Sequence, residues 1–351
     1  MIYTEKELGV VHGERIIDYQ LTNDRGTSIN CLSAAAAWRD FQVKTASGQL
    51  HSLLFHFEDW QDYLTNPFHV GHSIGRVGGR IKDGCFVIDG KRIHVPVNEG
   101  PNCLHGGAHG FSFWNWQGEL GAQDEAVFVR FHRLIQPKDD GFPGTLEAEI
   151  TYTLTNTDDV IITFSGISDQ PTLFDPMTHV YFNLSDGQDS ILDHELAISS
   201  GRHVQVDAHK LPTGNLLSNQ GTAYDFSQPR ALSDALDQLT RETAGTQFDD
   251  AFEVMEGEMP SAVVRDPASG RQLTVTSDRN GLVIFTANPE VIGHSKQWEA
   301  QHPFNALAIE AQTLPDSIHH PEFGSVILPA NQERQYTVRY HYCAIDQEEK
   351  K

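Results

Sequence analysis

The sequence predicts an all-β protein built as a large antiparallel β-sandwich. Apolar and polar residues alternate with a period of two in several short segments, turn signals separate these segments, and helical periodicity is scarce. Period-two alternation is typical of strands that bury one face. Many short strands between turns favour two packed antiparallel sheets.

The clearest strands lie in the middle and near the end of the chain. In Glu149–Leu154 the apolar residues occupy every second position, and Val160–Phe164 follows after a short polar turn. Over residues 336–342, tyrosine and valine alternate with polar side chains. These three segments are predicted to be strands with one buried face.

Local signals predict a hairpin and little helix. Cys85–Ile88 and Arg92–Val95 flank Asp89-Gly90, a dipeptide typical of two-residue β-hairpin turns. Leucines recur at helical spacing over 232–239, which predicts one short helix, and His56–Leu64 is a second candidate.

Charge and composition limit the class of protein. The 351 residues include 25 Lys and Arg against 48 Asp and Glu, a formal net charge of −23. Such a surface repels nucleic acid and anionic membranes, so we expect neither as a partner. No apolar run is long enough to span a bilayer. The four cysteines show no CxxC spacing, which favours reduced thiols and a cytoplasmic location.

The chain shows no sign of a linker. Proline and glycine are scattered, and there is no low-complexity tract or clear repeat. We therefore expect a single domain over residues 1–351, with a charged, frayed tail at 346–351.

Two histidines lie four residues apart in the glycine-rich segment Pro101–Gly110. Glycine destabilises a helix interior, so His105 and His109 are expected in a loop. The HExxH zinc motif needs a helix and an intervening glutamate, which disfavours a metal site here. The loop is either only a turn or a device that holds an imidazole at a site.

Gly75–Arg80 is rich in glycine and arginine. It does not match G-x-G-x-x-G and lies in no βαβ unit, so a phosphate cradle is excluded. Two alternatives stay open for this segment. It is a tight turn with solvated arginines, or one arginine is buried and holds a hydroxylated ligand.

Ionisable side chains in apolar surroundings are candidates for chemistry. His179 lies among apolar and aromatic residues, as either a core histidine or a site imidazole. Glu310 follows the apolar run Ala306–Ile309, and glutamate is rarely buried unless paired. Burial would raise its pKa and make it a possible general base near neutrality. Asp249 and Asp250 form a charged turn or a ligand site.

Six short motifs occur in order along most of the chain: Gly75–Ile81, Leu104–Gly107, Gly141–Gly144, His179–Leu184, Asp249 before an aromatic strand, and Glu310–Gln312 followed by Pro315-Asp316. Together they resemble the motifs of the aldose 1-epimerase (galactose mutarotase) family. The resemblance runs nearly from end to end of the chain.

The resemblance implies a β-sandwich of the galactose mutarotase type with a sugar cleft on one sheet. It implies interconversion of the α and β anomers of a free aldose, such as galactose or glucose, with no metal or other cofactor. Glu310 would be the base at the C1 hydroxyl, His179 the acid at the ring oxygen, and His105 a hydrogen-bonding group near that oxygen. The expected sugar-binding residues are Arg80, Asp249, Gln312 and Phe285. His109 would be incidental.

Several positions depart from the family pattern. Gly79 and Thr178 replace asparagines, Asp250 replaces a histidine, His319 replaces a common asparagine, and Asn280–Val283 replaces a usual Pro-Gly-Val-Gln. The acid–base set is intact, so the departures bear on the substrate. A different hexose, a pentose or a reducing disaccharide stays open.

Two rival functions also stay open. A hexose-6-phosphate mutarotase on the same fold would need extra Lys or Arg at the cleft mouth. A non-catalytic carbohydrate-binding sandwich would need aromatic platforms but no acid–base pair. In each case the expected partner is a small sugar, and the expected state is a monomer or homodimer.

Overall fold

The computed structural model describes residues 1–45, 48–185, 190–288 and 304–345. The first fourteen strands are β1 Ile2–Val11, β2 Glu14–Thr22, β3 Ser28–Leu32, β4 Ala37–Lys44, β5 Leu50–Ser52, β6 Ser73–Ile74, β7 Arg80–Ile81, β8 Cys85–Ile88, β9 Lys91–His94, β10 Cys103–Leu104, β11 Gln117–Gln123, β12 Ala126–Ile135, β13 Leu146–Thr155 and β14 Asp159–Ser168.

The later strands are β15 Thr172–Leu173, β16 Met177–Thr178, β17 Tyr181–Phe182, β18 Glu195–Ile198, β19 Arg202–Val206, β20 Pro212–Ser218, β21 Arg230–Ala231, β22 Asp249–Glu253, β23 Gly257–Asp266, β24 Arg271–Ser277, β25 Gly281–Thr286, β26 Leu307–Gln312, β27 Ile327–Leu328 and β28 Glu333–Ala344. The α-helices are α1 Pro137–Asp140 and α2 Leu232–Thr243. Short 3₁₀ helices cover Trp60–Leu64, Lys82–Gly84, Phe111–Phe113, Ile191–Asp193 and Pro321–Phe323.

Three sheets carry most of the strands. The largest has the order β11-β12-β13-β14-β28-β24-β23-β18-β21, the second β17-β26-β25-β22-β19-β20, and the third β1-β2-β3-β4-β5. Their ladders are antiparallel. The predicted all-β, antiparallel fold is confirmed.

The main core lies between the nine-stranded sheet on one side and the six-stranded and five-stranded sheets on the other. Ile150 and Ile162 of the nine-stranded sheet share one buried cluster with Leu282 and Ile309 of the six-stranded sheet and Phe41 of the five-stranded sheet. Each side chain is fully buried. The arrangement is a sandwich, because the sheets bury their apolar faces against each other.

Strand β26 is buried on both faces, unlike a strand that exposes one face to solvent. Leu307, Ile309 and Ala311 point into the main core. Because side chains alternate along a strand, Glu310 and Gln312 point to the opposite face of the sheet. The apolar half of this strand therefore fixes the position of two polar side chains.

Most local predictions are confirmed. The segments at 149–154, 160–164 and 336–342 lie in β13, β14 and β28. β8 and β9 form the predicted hairpin, and Asp89 and Gly90 have φ values of 50° and 75°, as a type I′ turn requires. Helix α2 is confirmed, but of His56–Leu64 only Trp60–Leu64 is helical, as a 3₁₀ turn.

The cysteines Cys31, Cys85, Cys103 and Cys343 are all free, as predicted. No helix within the described ranges is long and apolar enough to cross a membrane. The tail at 346–351 lies outside the described residues, and the single domain over 1–351 stays a prediction.

Candidate active site

An open cleft of about 270 Å³ lies on the face of the six-stranded sheet that is turned away from the main core. The seven side chains selected from the sequence all line it: Arg80, His105, His179, Asp249, Phe285, Glu310 and Gln312. They come from parts of the chain more than 200 residues apart, so the fold brings them together. The volume of the cleft is near the lower end of the range typical of small-molecule sites.

The register of three strands sets the floor of the cleft. On β25, Val283 pairs with Glu310 of β26, and Phe285 pairs with Asp249 of β22. Val283 and Phe285 are two residues apart and share one face, so Glu310 and Asp249 share that face as well. The two carboxylates therefore flank the middle strand on the cleft side.

Glu310 and His179 lie side by side in the cleft. Nε2 of His179 lies 3.3 Å from Oε1 of Glu310, and the side chains are only 9% and 5% exposed. The His179 ring also stacks on Tyr181, with centroids 5.0 Å apart. His179 is buried, as a core histidine would be, but its ring contacts a carboxylate in the cleft, which favours the alternative of a site imidazole.

Burial shifts the pKa values of Glu310 and His179 in opposite directions. Loss of hydration raises the pKa of Glu310 to about 8, with a smaller contribution from the charge of Asp249. Burial lowers the pKa of His179 to about 3, and the nearby His69 adds to the effect. Both shifts favour the neutral form, as expected for ionisable groups in an apolar site.

The glycine-rich loop holds His105 over the cleft. His105 has a φ of 54°, and its N–H donates to the carbonyl of Gly79 at 2.9 Å. Gly106 has a φ of 80°, and a side chain there would collide with the carbonyl oxygen of Gly75. Burial, and then the neighbouring His179, lower the pKa of His105 well below its ordinary value.

His109 takes no part in this arrangement and is exposed. Within the described part of the chain, no group of three or more His, Cys, Asp or Glu side chains is placed to hold a metal ion. The zinc alternative for His105 and His109 therefore finds no third ligand there.

Arg80 is held at the cleft by a carboxylate. Its Nε and Nη2 donate to the two oxygens of Glu99, each at 2.7 Å. The preceding Gly79 has a φ of 66°, a conformation that glycine and asparagine both tolerate. This explains how Gly79 can replace the asparagine of the family pattern. A side chain at Gly78 would collide with Gln312, so the glycines also make room for that amide.

The two aspartates of β22 have different surroundings. Asp249 faces the cleft, is one third exposed at 33%, and lies 3.6 Å from Nζ of Lys210. Asp250 accepts a hydrogen bond from the N–H of Asp249 at 3.0 Å, and burial raises its pKa. The alternative of a solvated charged turn is therefore wrong.

Arg76 is fully buried and does not line the cleft. Its guanidinium donates to both oxygens of Asp140, at 2.6 and 3.2 Å, and to the carbonyls of Pro143 and Gly144. Arg76 thus fixes the turn at 141–144. The alternative of solvated arginines is wrong for Arg76, because its guanidinium is buried and bonded to other protein groups.

Two of the family departures hold loops together outside the cleft lining. The Asn280 side chain accepts from the N–H of Leu314 and donates to the carbonyl of Phe323. Nδ1 of His319 lies 2.7 Å from Oδ1 of Asp316. Val283, at the other end of the Asn280–Val283 departure, does line the cleft.

Sequence reasoning missed five polar or aromatic side chains that line the cleft: Phe68, His69, Tyr181, Lys210 and Gln247. Tyr181 lies within one of the matched motifs, two residues after His179, and could have been selected from strand periodicity. The other four lie outside the motifs, and no local pattern marks them.

The chain is similar to known carbohydrate epimerases over most of its length. A family model described as aldose 1-epimerase matches residues 18–341. The chain is 41% identical to a maltose epimerase of Levilactobacillus brevis, over 97% of this chain and 99% of that protein. It is 34% identical to an aldose 1-epimerase of Streptococcus thermophilus, over 95% and 97% of the two chains. A crystal structure of galactose 1-epimerase from Lactobacillus acidophilus superposes with a TM-score of 0.86 at 22% identity, over 98% and 99% of the two chains, and confirms the fold type.

Proposed function

The chain belongs to the aldose 1-epimerase family, and from that premise we propose that it interconverts the α and β anomers of a free aldose such as galactose or glucose. The observation that carries the proposal is the buried contact of Glu310 with His179 at 3.3 Å. A carboxylate and an imidazole side by side in a cleft are the two groups that acid–base ring opening needs.

Ring opening moves two protons and breaks one bond. Glu310 takes the proton of the C1 hydroxyl as that oxygen becomes the carbonyl oxygen of an aldehyde. The bond between C1 and the ring oxygen breaks, its electron pair goes to the ring oxygen, and His179 gives that oxygen a proton. Rotation about the C1–C2 bond, followed by the reverse transfers, closes the ring as the other anomer.

In this mechanism Glu310 and His179 share one proton. Ring opening starts from the carboxylate and the imidazolium, and it leaves both groups neutral. Because burial favours the neutral form of each group, the site stabilises the pair that ring opening produces. Sugar hydroxyls that donate to the carboxylate would stabilise the ionised pair before reaction. The step therefore needs no outside proton donor and no redox partner.

His105, Arg80 and Asp249 hold the sugar in the reactive position. The His105 and His179 ring centroids are 5.4 Å apart at an interplanar angle of 84°, so both imidazoles face the same part of the cleft. Arg80 offers a donor and Asp249 an acceptor to ring hydroxyls, and both line the same cleft as Glu310. Such positioning lowers the entropy cost of reaching the transition state. Gln312 and Phe285 complete the proposed contacts.

A reducing disaccharide is the second candidate substrate. The 41% identical relative carries the name maltose epimerase and covers nearly the whole chain. The reducing unit of maltose has a free C1 hydroxyl and a ring oxygen, so the same two protons would move. The proposed chemistry does not change between the two candidates.

The hexose-6-phosphate alternative is disfavoured by charge. Among the described residues that line the cleft, the Lys and Arg side chains are Lys210 and Arg80. Each is paired with a carboxylate, Asp249 and Glu99 respectively. A phosphate would therefore meet no excess of positive charge.

The test is polarimetry on freshly dissolved α-anomers of glucose, galactose and maltose. We expect the protein to accelerate the approach to anomeric equilibrium well above the spontaneous rate for at least one of them. Rates equal to the spontaneous rate for all three sugars would contradict the proposed function.

A further inference from the structure

His69 lies on a loop that is fixed at the edge of the cleft. The side-chain oxygen of the buried Asn66 accepts the N–H groups of Phe68 and Val70, at 3.0 and 3.1 Å. The hydroxyl of Tyr181 donates to the carbonyl of Phe68 at 3.0 Å. His69 itself has a φ of 51°. A side chain presented in this way is positioned before any ligand arrives.

The imidazole of His69 packs among other rings. Its centroid lies 5.5 Å from that of His105, 6.4 Å from that of His179 and 6.0 Å from that of the exposed Phe113. Within the described ranges, Nδ1 is buried without a partner. The ring lines the cleft, so Nε2 is the nitrogen left for a ligand. Burial lowers the pKa of His69 to about 4, so the ring is neutral near pH 7.

Strand order places His69 and Asp249 at opposite ends of the cleft. The chain that follows His69 runs beside the segment of His179, where the N–H of His179 donates to the carbonyl of His72. On the other side of the His179 segment, β17 pairs with β26, which carries Glu310. β25 and then β22, with Asp249, continue the same order. The row is therefore His69, His179, Glu310 and Asp249.

The order of side chains in this row can be compared with the order of atoms around a pyranose ring. The ring oxygen follows C1, and C5 with its hydroxymethyl group follows the ring oxygen. With Glu310 at C1 and His179 at the ring oxygen, the next side chain in the row meets the substituent of C5.

We propose that His69 is a specificity-determining residue whose Nε2 hydrogen-bonds the C6 hydroxyl of a bound aldohexose. The inference rests on the proposed function, because it takes the orientation of the sugar from Glu310 and His179. A buried polar group that loses its partner disfavours a ligand without the matching hydroxyl. The cleft should therefore prefer aldohexoses to sugars that lack this oxygen.

The test compares D-glucose with 6-deoxy-D-glucose, which differ in this one oxygen. We expect the wild-type kcat/KM to be about tenfold lower for the deoxy sugar, with most of the loss in KM. His69→Phe keeps a flat ring but has no ring nitrogen. It should lower kcat/KM for D-glucose by about tenfold and treat the two sugars alike within about twofold. His109→Ala, at an exposed position of the neighbouring loop, is the matched control and should keep the wild-type preference.

The outcomes separate the two proposals. Equal wild-type kcat/KM values for the two sugars would overturn the role of His69 without any variant. A tenfold preference that survives in His69→Phe would assign recognition of the C6 hydroxyl to another side chain and would also overturn it. If the wild type accelerated the mutarotation of neither these sugars nor galactose and maltose, the proposed function itself would fail, and this role with it.

Discussion

Two buried pairs of ionisable side chains, Arg76 with Asp140 and Glu310 with His179, differ in how completely they are hydrogen-bonded. At the turn over 141–144, Arg76 and Asp140 are fully buried and bond to each other and to backbone carbonyls. In the cleft, Glu310 and His179 make one contact of 3.3 Å, and Nδ1 of His179 has no partner within the described ranges.

The difference separates buried ionisable groups that hold the fold together from those that are available to a ligand. A buried ion pair with all its partners holds two parts of the chain together, and it leaves no group for a ligand. Buried groups with unused hydrogen-bonding atoms cost stability, so their retention in a cleft points to a ligand that satisfies them. Variants in the two regions should therefore respond differently, in catalysis for the cleft and in stability for the turn.

The largest effect is expected for Glu310→Gln. Glutamine keeps the shape and the hydrogen-bonding reach of the side chain but cannot accept the C1 proton. We expect kcat to fall by about 10²-fold or more, with little change in sugar binding. Anomer interconversion followed by NMR gives kcat, and sugar titration gives the affinity. Turnover within a few-fold of wild type would show that another group is the base.

His179→Asn and His105→Asn should come next. Asparagine at 179 cannot carry the imidazole proton, and asparagine at 105 is too short to replace the imidazole that holds the sugar in position. In both variants we expect kcat to fall by about 10²-fold while the thermal unfolding midpoint changes little. Near-normal turnover in His179→Asn would assign the acid to another group. A harmless His105→Asn would leave His105 as a turn residue only.

Asp140→Asn should show the opposite pattern to the cleft variants. It leaves the buried charge of Arg76 without its counter-ion, so we expect a loss of about 3 kcal/mol in the free energy of unfolding. The folded fraction should keep its turnover, because neither side chain lines the cleft. Urea unfolding and turnover per folded molecule measure the two quantities. An unchanged free energy of unfolding would mean that the Arg76–Asp140 pair does not stabilise the fold. It would contradict the structural role assigned to this pair.

The smallest effect is expected for Asp249→Asn. Asp249 is partly exposed and already paired with Lys210, so its loss weakens a hydroxyl contact without touching the proton transfers. We expect KM to rise about tenfold, with kcat within a few-fold of wild type. Lys210→Met is the matched control, since it removes the cation and keeps the carboxylate. A change in kcat alone would place Asp249 in the chemistry and contradict the assigned role.

The sequence predicted the strands and the main cleft residues because both depend on local patterns. Alternation revealed β13 and β28, and short motifs selected Glu310, His179 and His105. It did not predict that Arg76 is buried, because its partner Asp140 lies 64 residues away.

His69 was missed for the same kind of reason. Its ring reaches the cleft through its loop, the capping side chain of Asn66 and the pairing of the following chain with the His179 segment. The loop and the Asn66 hydrogen bonds do not belong to a strand. None of the three causes produces a periodic pattern or a motif in the sequence around His69. Contacts set by long-range pairing become visible only once the fold is known.

The central claim is that Glu310 and His179 act with one shared proton. In the proposed mechanism the singly protonated pair is the active form. The kcat/KM of the wild type should then be level near pH 7 and fall as pH rises through about 8, where the free pair loses its proton. The pH dependence of kcat/KM for glucose or galactose, corrected for spontaneous mutarotation, tests this most directly, and the fall near pH 8 should be absent from the residual activity of Glu310→Gln. A wild-type kcat/KM that instead rises through pH 8 to a plateau would show that Glu310 acts alone as an ionised base, with His179 only a hydrogen-bond donor, and would contradict the account.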